Sequence, residues 1–283
     1  MEFLNIINAI ILGIIEGITE WLPISSTGHL ILAEQFFSLK DLTSEFTEMF
    51  NVVIQLGAIL AVVVIFWSKL CPVGIKENKV TLKKNTLTLW GKVIVACLPA
   101  AIIGLPLDDW MDEHLHNYRV VSIALIVYGI AFIVIETAFK NREPKIATLK
   151  GLDWKTAFFI GCFQVLSLIP GTSRSGSTIL GALLLGTSRV VAAEFSFYLA
   201  VPVMFGASAL KAIKYVKFVQ ESAMGFSGYR LIILVTGMLI AFIVSVLAIK
   251  FLLTYIKKKD FKVFGWYRIA LGIIVLLYFY VFK

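Results

Sequence analysis

No charged side chain occurs in residues 50–67, 93–106 or 231–249. A helix crosses the hydrocarbon core of a bilayer with about 20 mainly apolar residues. Residues 120–138, 193–210 and 267–282 add three more such stretches, and 93–106 qualifies if its helix extends. Inside a bilayer every backbone N–H and C=O must find a partner within the protein, which a helix provides by itself. The composition agrees. Hydrophobic residues make up 59% of the 283-residue chain and charged residues 16%, against roughly 45–50% and 25% in soluble domains. The reading is an all-α polytopic membrane protein, one integral membrane domain over residues 1–283.

Two further apolar regions, about 3–37 and 157–187, each carry a polar island. The first is Glu16-Gly-Ile-Thr-Glu20-Trp-Leu-Pro-Ile-Ser25-Ser26-Thr27-Gly28-His29, and the second is Pro170-Gly-Thr-Ser-Arg174-Ser-Gly-Ser-Thr178. Gly, Pro and clustered hydroxyls predict a helix, a break and a second helix in each region. Non-helical backbone at membrane depth must be buried in protein or line a wet cavity, and ionisable residues there mark functional sites. The expected architecture is six transmembrane helices plus two re-entrant helical hairpins.

The formal net charge is +8. No RNA-binding motif or aromatic-interleaved basic patch accompanies it, so nucleic acid is not the expected partner. The lysines instead cluster in segments 68–92, 139–156 and 250–266, which the positive-inside rule puts in the cytoplasm. Segment 107–119, with Asp108, Asp109, Asp112 and Glu113, and segment 38–49, with Asp41, Glu45 and Glu48, are expected outside. Segment 211–230, with Lys211, Lys214 and Lys217, goes outside by parity. Each half is then one hairpin plus three spans, and an odd number of spans inverts the second half. The first repeat covers about 1–138 and the second about 157–283. Aligning Pro23 with Pro170 lays Ser25-Ser26-Thr27 over Thr172-Ser173-Arg174. Inverted repeats bring broken helices together near the midplane, with sites at their interface.

Cys71, Cys97 and Cys162 are far apart and form no Cys-x-x-Cys, so neither a disulfide framework nor a zinc site is expected. The apolar N-terminus lacks a basic n-region and does not read as a removable signal peptide.

The islands supply the chemistry. Glu16 and Glu20 share a helix face at i, i+4 and can hold a divalent cation, Mg²⁺ or Ca²⁺, through oxygen, or act as acid and base. Ser25, Ser26 and Thr27 either cap the following helix or supply a nucleophile, which needs a base such as His29. Arg174 matches phosphate oxygens bidentately; its other reading is a salt bridge to Glu16 or Glu20. Gly171 and Gly176 let backbone approach an anion, and Ser173, Ser175 and Thr178 add donors or caps. The acidic segment with His114 and His116 reads as a metal or pH-sensing cluster or as a solvated face. Gln55 and Glu194 receive no role, and Trp110, Trp266 and Tyr267 read as interfacial anchors.

Glu16-Gly-Ile-Thr-Glu20, Pro170-Gly-Thr-Ser-Arg-Ser-Gly-Ser-Thr178, Val53-Ile-Gln-Leu-Gly57 and Glu194-Phe-Ser-Phe197 together resemble the undecaprenyl-diphosphate phosphatase family of bacterial inner membranes, also known as bacitracin-resistance proteins. The resemblance implies removal of one phosphate from undecaprenyl diphosphate, a polyprenyl lipid, to recycle the carrier for cell-wall synthesis. It also implies a divalent cation, a site facing the periplasm or exterior, a homodimer, and functional roles for Glu16, Glu20, Ser26, His29 and Arg174. Three routes stand open: attack by Ser26 with His29 or Glu20 as base, attack by His29, or attack by water at the metal. The competing class is a carrier that flips a polyprenyl phosphate across the membrane with the same inverted-repeat site.

Overall fold

The computed structural model describes all residues except 1, 41, 77–78, 223–224, 226 and 283. Asp41, counted above with the outer acidic residues, thus lies outside the described residues, as do the side chains of Asp108 and Asp112. The chain is almost wholly helical. Its first half contains α1 (Glu2–Thr19), α2 (Ser26–Ala33), α3 (Ser44–Ile65), α4 (Trp67–Leu70), a short hairpin β1 (Val73–Lys76) and β2 (Lys79–Leu82), α5 (Lys84–Leu115) and α6 (Tyr118–Ala138). The second half contains α7 (Trp154–Val165), α8 (Arg174–Leu184), α9 (Arg189–Glu221), α10 (Gly228–Ile256) and α11 (Lys262–Phe282).

Among the described residues, seven helices are long and apolar enough to cross a membrane. Six are the spans read from the sequence. The seventh is α1, the first arm of the first island, with 18 residues. Its counterpart α7 has only 12. Both islands form a helix, a break and a second helix, as the composition implied. The three cysteines are unpaired.

Two helices run beyond their expected ends because helix continues through polar sequence, and one expected loop contains strand. Helix α5 runs to Leu115 despite Pro99 and Pro106, so most of the acidic segment 107–119 is helical rather than loop. Helix α9 runs to Glu221 and carries Lys211, Lys214 and Lys217. Segment 68–92 holds the β-hairpin, with Val73 opposite Leu82, before α5 begins. Lys211 contacts Glu48 at 2.5 Å and Lys214 contacts Asp109 at 2.8 Å. These pairs bring segments 38–49, 107–119 and 211–230 to one end of the bundle, as parity required.

Packing is reciprocal between the halves. Helix α1 lies along α10 while α7 lies along α5; α2 meets α11 while α8 meets α6; α3 packs on α9, and α6 on α11. Small residues let these backbones approach, since packing rather than water expulsion joins helices in lipid. At the α6–α11 crossing, a Cβ on Gly129 would stand 2.7 Å from the Gly265 carbonyl, and a Cβ on Gly265 2.7 Å from the Gly129 carbonyl. At the α3–α10 crossing, a Cβ on Gly57 would stand 2.0 Å from the Met238 carbonyl. Leu247, Ile102 and Leu231 are among the large apolar side chains left exposed on the outside, as a lipid-facing surface requires.

The Gly57 contact gives a direct test. The opposing atom is backbone and cannot swing away, so Gly57→Val should destabilise the protein by at least about 1–3 kcal/mol, the usual cost of overpacking. Gly206→Ala, with nothing within 4 Å of the added methyl, should be neutral or slightly stabilising. Thermal unfolding in detergent compares the two; equal midpoints would contradict the α3–α10 crossing.

Candidate active site

Both breaks end in the same device. Ser25 and Ser173 have φ of 73° and are the only non-glycine residues with positive φ among those described. Each is an N-cap. Ser25 Oγ accepts from the Gly28 N–H at 3.3 Å and Ser173 Oγ from the Gly176 N–H at 3.1 Å. A left-handed serine costs of order 1–3 kcal/mol unless its surroundings fix it; here the cap and the following helix do so. The equivalent pair is therefore Ser25 with Ser173, which corrects the proline alignment by one residue and sets Ser26 over Arg174. Each of these is the first residue of its helix, so the N-termini of α2 and α8 converge, and both favour an anion.

Glu20 lies where they meet. Ser26 Oγ donates to Glu20 Oε2 at 2.9 Å, and Arg174 Nη2 donates to Glu20 Oε1 at 3.0 Å. The Arg174 and Glu20 side chains are 10% and 9% exposed, so the pair is nearly dry. This is the salt bridge that the sequence offered as the second reading of Arg174. Nη1 donates to the Ser196 carbonyl at 2.7 Å, Nε has no partner, and Arg174 lies over the Trp21 ring at 5.8 Å. Ser175 Oγ donates to the Glu20 carbonyl at 3.1 Å. Thr178 Oγ1 contacts the Arg174 carbonyl and Ser196 Oγ. Ser173, Ser175 and Thr178 thus cap, brace and back the arginine, while Thr27 is partly exposed on the first turn of α2.

His29 is held differently. Its Nδ1 is 2.7 Å from the Ser25 carbonyl and its Nε2 is 2.7 Å from Tyr267 Oη. A carbonyl only accepts, so Nδ1 carries the proton, and a neutral ring then accepts from the tyrosine at Nε2. Tyr267 also stacks on the ring at 5.5 Å. Read from the sequence as an interfacial anchor, Tyr267 also touches the site while staying half-exposed.

Glu16 is wholly buried and neither carboxylate oxygen has a protein partner. It sits one helical turn before Glu20. Two hard oxygen donors on one buried carboxylate, beside a second carboxylate, could hold a divalent cation. Among the described residues, no group of three or more His, Cys, Asp and Glu forms a metal cage. At the end of α5, where the side chains of Asp108 and Asp112 lie outside the described residues, His114 stacks on Trp110 and donates to its carbonyl. Glu194 pairs with Lys69 at 2.8 Å.

Arg268 escaped the sequence reading. Fully buried on α11, it donates to the Pro23 carbonyl at 3.2 Å and to the Gly171 and Thr172 carbonyls at 2.9 Å each. One guanidinium therefore joins both breaks. The available signal was an arginine two residues into the apolar run 267–282. Gly171, at φ +90°, presses against α6, where a Cβ would stand 2.5 Å from the Val121 carbonyl.

A family model described as "Bacitracin resistance protein BacA" matches residues 9–274. The chain belongs to this family. The match covers both breaks, Glu16, and every residue named above around Glu20. The chain is 60% identical over 278 residues to an undecaprenyl-diphosphatase of Enterococcus faecalis, covering 98% of this chain and 99% of that one. It is 59% identical to an undecaprenyl-diphosphatase of Acetivibrio thermocellus and 57% identical to one of Lactiplantibacillus plantarum, with 98% of both chains covered in each case.

Arg268→Met removes the donors from three buried carbonyls. Each unsatisfied buried group costs about 1–3 kcal/mol, so the variant should lose at least about 3 kcal/mol of stability, and Arg268→Lys should recover only part of it. Thermal unfolding in detergent measures this, and a wild-type midpoint for Arg268→Met would remove the arginine from its bridging role.

Proposed function

We propose that this protein hydrolyses undecaprenyl diphosphate to undecaprenyl phosphate and inorganic phosphate, recycling the lipid carrier for cell-wall synthesis and so conferring bacitracin resistance. The observation that carries the reading is the buried Ser26–Glu20–Arg174 set at two converging helix N-termini, in a chain about 60% identical over its length to undecaprenyl-diphosphatases.

The polyprenyl tail stays among the helices in lipid, and the diphosphate enters the polar pocket. Ser26 Oγ attacks the terminal phosphorus as its proton passes to Glu20, already in hydrogen-bond contact. The bond from that phosphorus to the bridging oxygen breaks, and undecaprenyl phosphate leaves, taking the proton from Glu20 on that oxygen. Protonation of Glu20 weakens its hold on Arg174, whose fork turns to the transferring phosphoryl oxygens, where charge accumulates. Water then attacks the phosphoserine and gives a proton to Glu20, now a base again; phosphate leaves and Ser26 regains its proton. Ser25 and Ser173 shape the turns. His29, engaged by Ser25 and Tyr267, orients the first turn of α2. A divalent cation held by Glu16 and Glu20 would neutralise charge on the diphosphate.

The halves are read as inverted repeats whose island hairpins re-enter the membrane. The reciprocal packing and the matched serine caps support this. The lysine-rich segments support a site open to the outside of a bacterial inner membrane. The same reciprocity suits the carrier reading. Liposomes separate the two: phosphate release without lipid movement supports hydrolysis, and movement without release supports transport.

Purified protein should release phosphate from a polyprenyl diphosphate, and chelator should stop it. Arg174→Lys should lower turnover at least about 10²-fold, the usual effect of losing one transition-state donor. Ser26→Ala should nearly abolish it, while Ser25→Ala should mainly cost the roughly 1 kcal/mol of a lost cap. Rapid turnover by Ser26→Ala would exclude the serine route and leave the phosphatase reading in place.

Orientation has its own test. In a cysteine-free variant, cysteines at Glu113 and at Lys145 should be labelled from opposite faces of intact cells. Labelling of both by an impermeant reagent would sink the inverted-repeat reading.

A further inference from the structure

A recess of about 310 Å³ opens where the end of α6, the start of α9 and the end of α10 meet. It shares no residue with the Glu20–Arg174 site. These helix termini lie away from the Glu48–Lys211 and Asp109–Lys214 pairs, on the lysine-rich end of the bundle.

Its rim carries Lys140, Arg142 and Lys257 against one acidic side chain, Glu143. Among the described residues none of the three pairs with a carboxylate; Arg142 rests on the Phe139 ring, 4.9 Å from its centroid. The acidic Glu136 below is already matched. It accepts from Arg189 Nε at 2.9 Å and Nη2 at 2.5 Å, and from the Phe261 N–H at 3.1 Å. Thr187 is 5% exposed, lines the recess, and its hydroxyl has no partner. Beside it the N-terminus of α9 favours negative charge. The rim is held in place: the Ile146 N–H donates to the Gly186 carbonyl and the Ser188 N–H to the Ile146 carbonyl, pinning segment 140–146 over the α8–α9 turn. The walls, by contrast, are apolar, with Ile135, Leu183 and Ile256.

A rim with three basic side chains against one acidic, a buried hydroxyl lacking a partner and an apolar wall suit a phosphate group that carries a hydrocarbon chain. Basic pockets between membrane helices on the cytoplasmic side recognise acidic lipid head groups in this way. We propose that this recess binds the phosphodiester head group of an anionic phospholipid of the inner leaflet. Arg142 and Lys257 meet the phosphate charge, Thr187 donates to a phosphate oxygen, and the acyl chains follow the apolar wall into the membrane.

The test uses the full-length protein purified in neutral detergent and offered phosphatidylglycerol or phosphatidylcholine, with retained lipid counted by native mass spectrometry. Phosphatidylglycerol should be retained in preference. Arg142→Gln and Lys257→Gln should each cut its retention about fivefold, as expected for one cation near an anionic lipid, and Thr187→Val should reduce it as well. Lys150→Gln/Lys155→Gln, on the same face but outside the recess, should change nothing, and inorganic phosphate should not displace the lipid. Phosphate release in phosphatidylcholine should be unaffected in all these variants, which separates failure here from failure of the phosphatase reading. Equal retention of the two lipids by wild type would overturn the proposal. So would unchanged retention in the Arg142 and Lys257 variants, an equal loss in the Lys150/Lys155 variant, or displacement by inorganic phosphate alone, which would mark a free-anion site.

Discussion

The Glu20–Arg174 pair joins the two halves of the molecule at their polar centre. A buried ion pair gains less than its Coulomb attraction suggests, because both charges lose water. This one is sustained by further contacts: Ser26 on the carboxylate, the Ser196 carbonyl on the guanidinium, and the Trp21 face above it. Each partner stands beside a break, one where α1 ends and one where α8 begins. The pair can form only if both breaks arrive together, and Arg268 secures that by holding their carbonyls. Charge on one side and backbone on the other thus fix the same junction.

Reactive groups and scaffold are divided between the halves. The first half contributes both carboxylates, Ser26 and His29; the second contributes Arg174 with the hydroxyls that brace it. Neither island is a complete site. The matched left-handed serines show why they converge: each turns the chain at the same angle into a helix, and the reciprocal packing of α1 on α10 and α7 on α5 brings the two turns face to face.

Much of this was legible in the sequence, for identifiable reasons. Long apolar runs read as membrane helices, and the clustered Pro, Gly and hydroxyl residues of the two islands read as breaks. Glu20 and Arg174 stood out because ionisable groups at that depth are costly, and Ser26 because it lies in a hydroxyl cluster beside a break. What escaped was geometry. Helices α5 and α9 continue through polar sequence because they project beyond the apolar zone, where hydropathy no longer marks a helix end. The repeat register was one residue off because proline marks a break only approximately, while the cap fixes it. Arg268 and Tyr267 lie in sequence at a span boundary; the crossing of α11 with the breaks buries Arg268, while Tyr267 stays half-exposed and reaches His29.

Helices α5 and α9 have 32 and 33 residues. At about 1.5 Å per residue such a helix is close to 50 Å long, whereas the hydrocarbon core measures about 30 Å. Even a strongly tilted helix of that length overshoots the core, so at the end bearing Asp109 and Lys214 the protein raises a parapet above the lipid. A head group arriving from that side would leave bulk solvent while still above the bilayer plane. The last stretch of its path would be bounded by protein, and the dielectric it meets would be set by side chains instead of phospholipid.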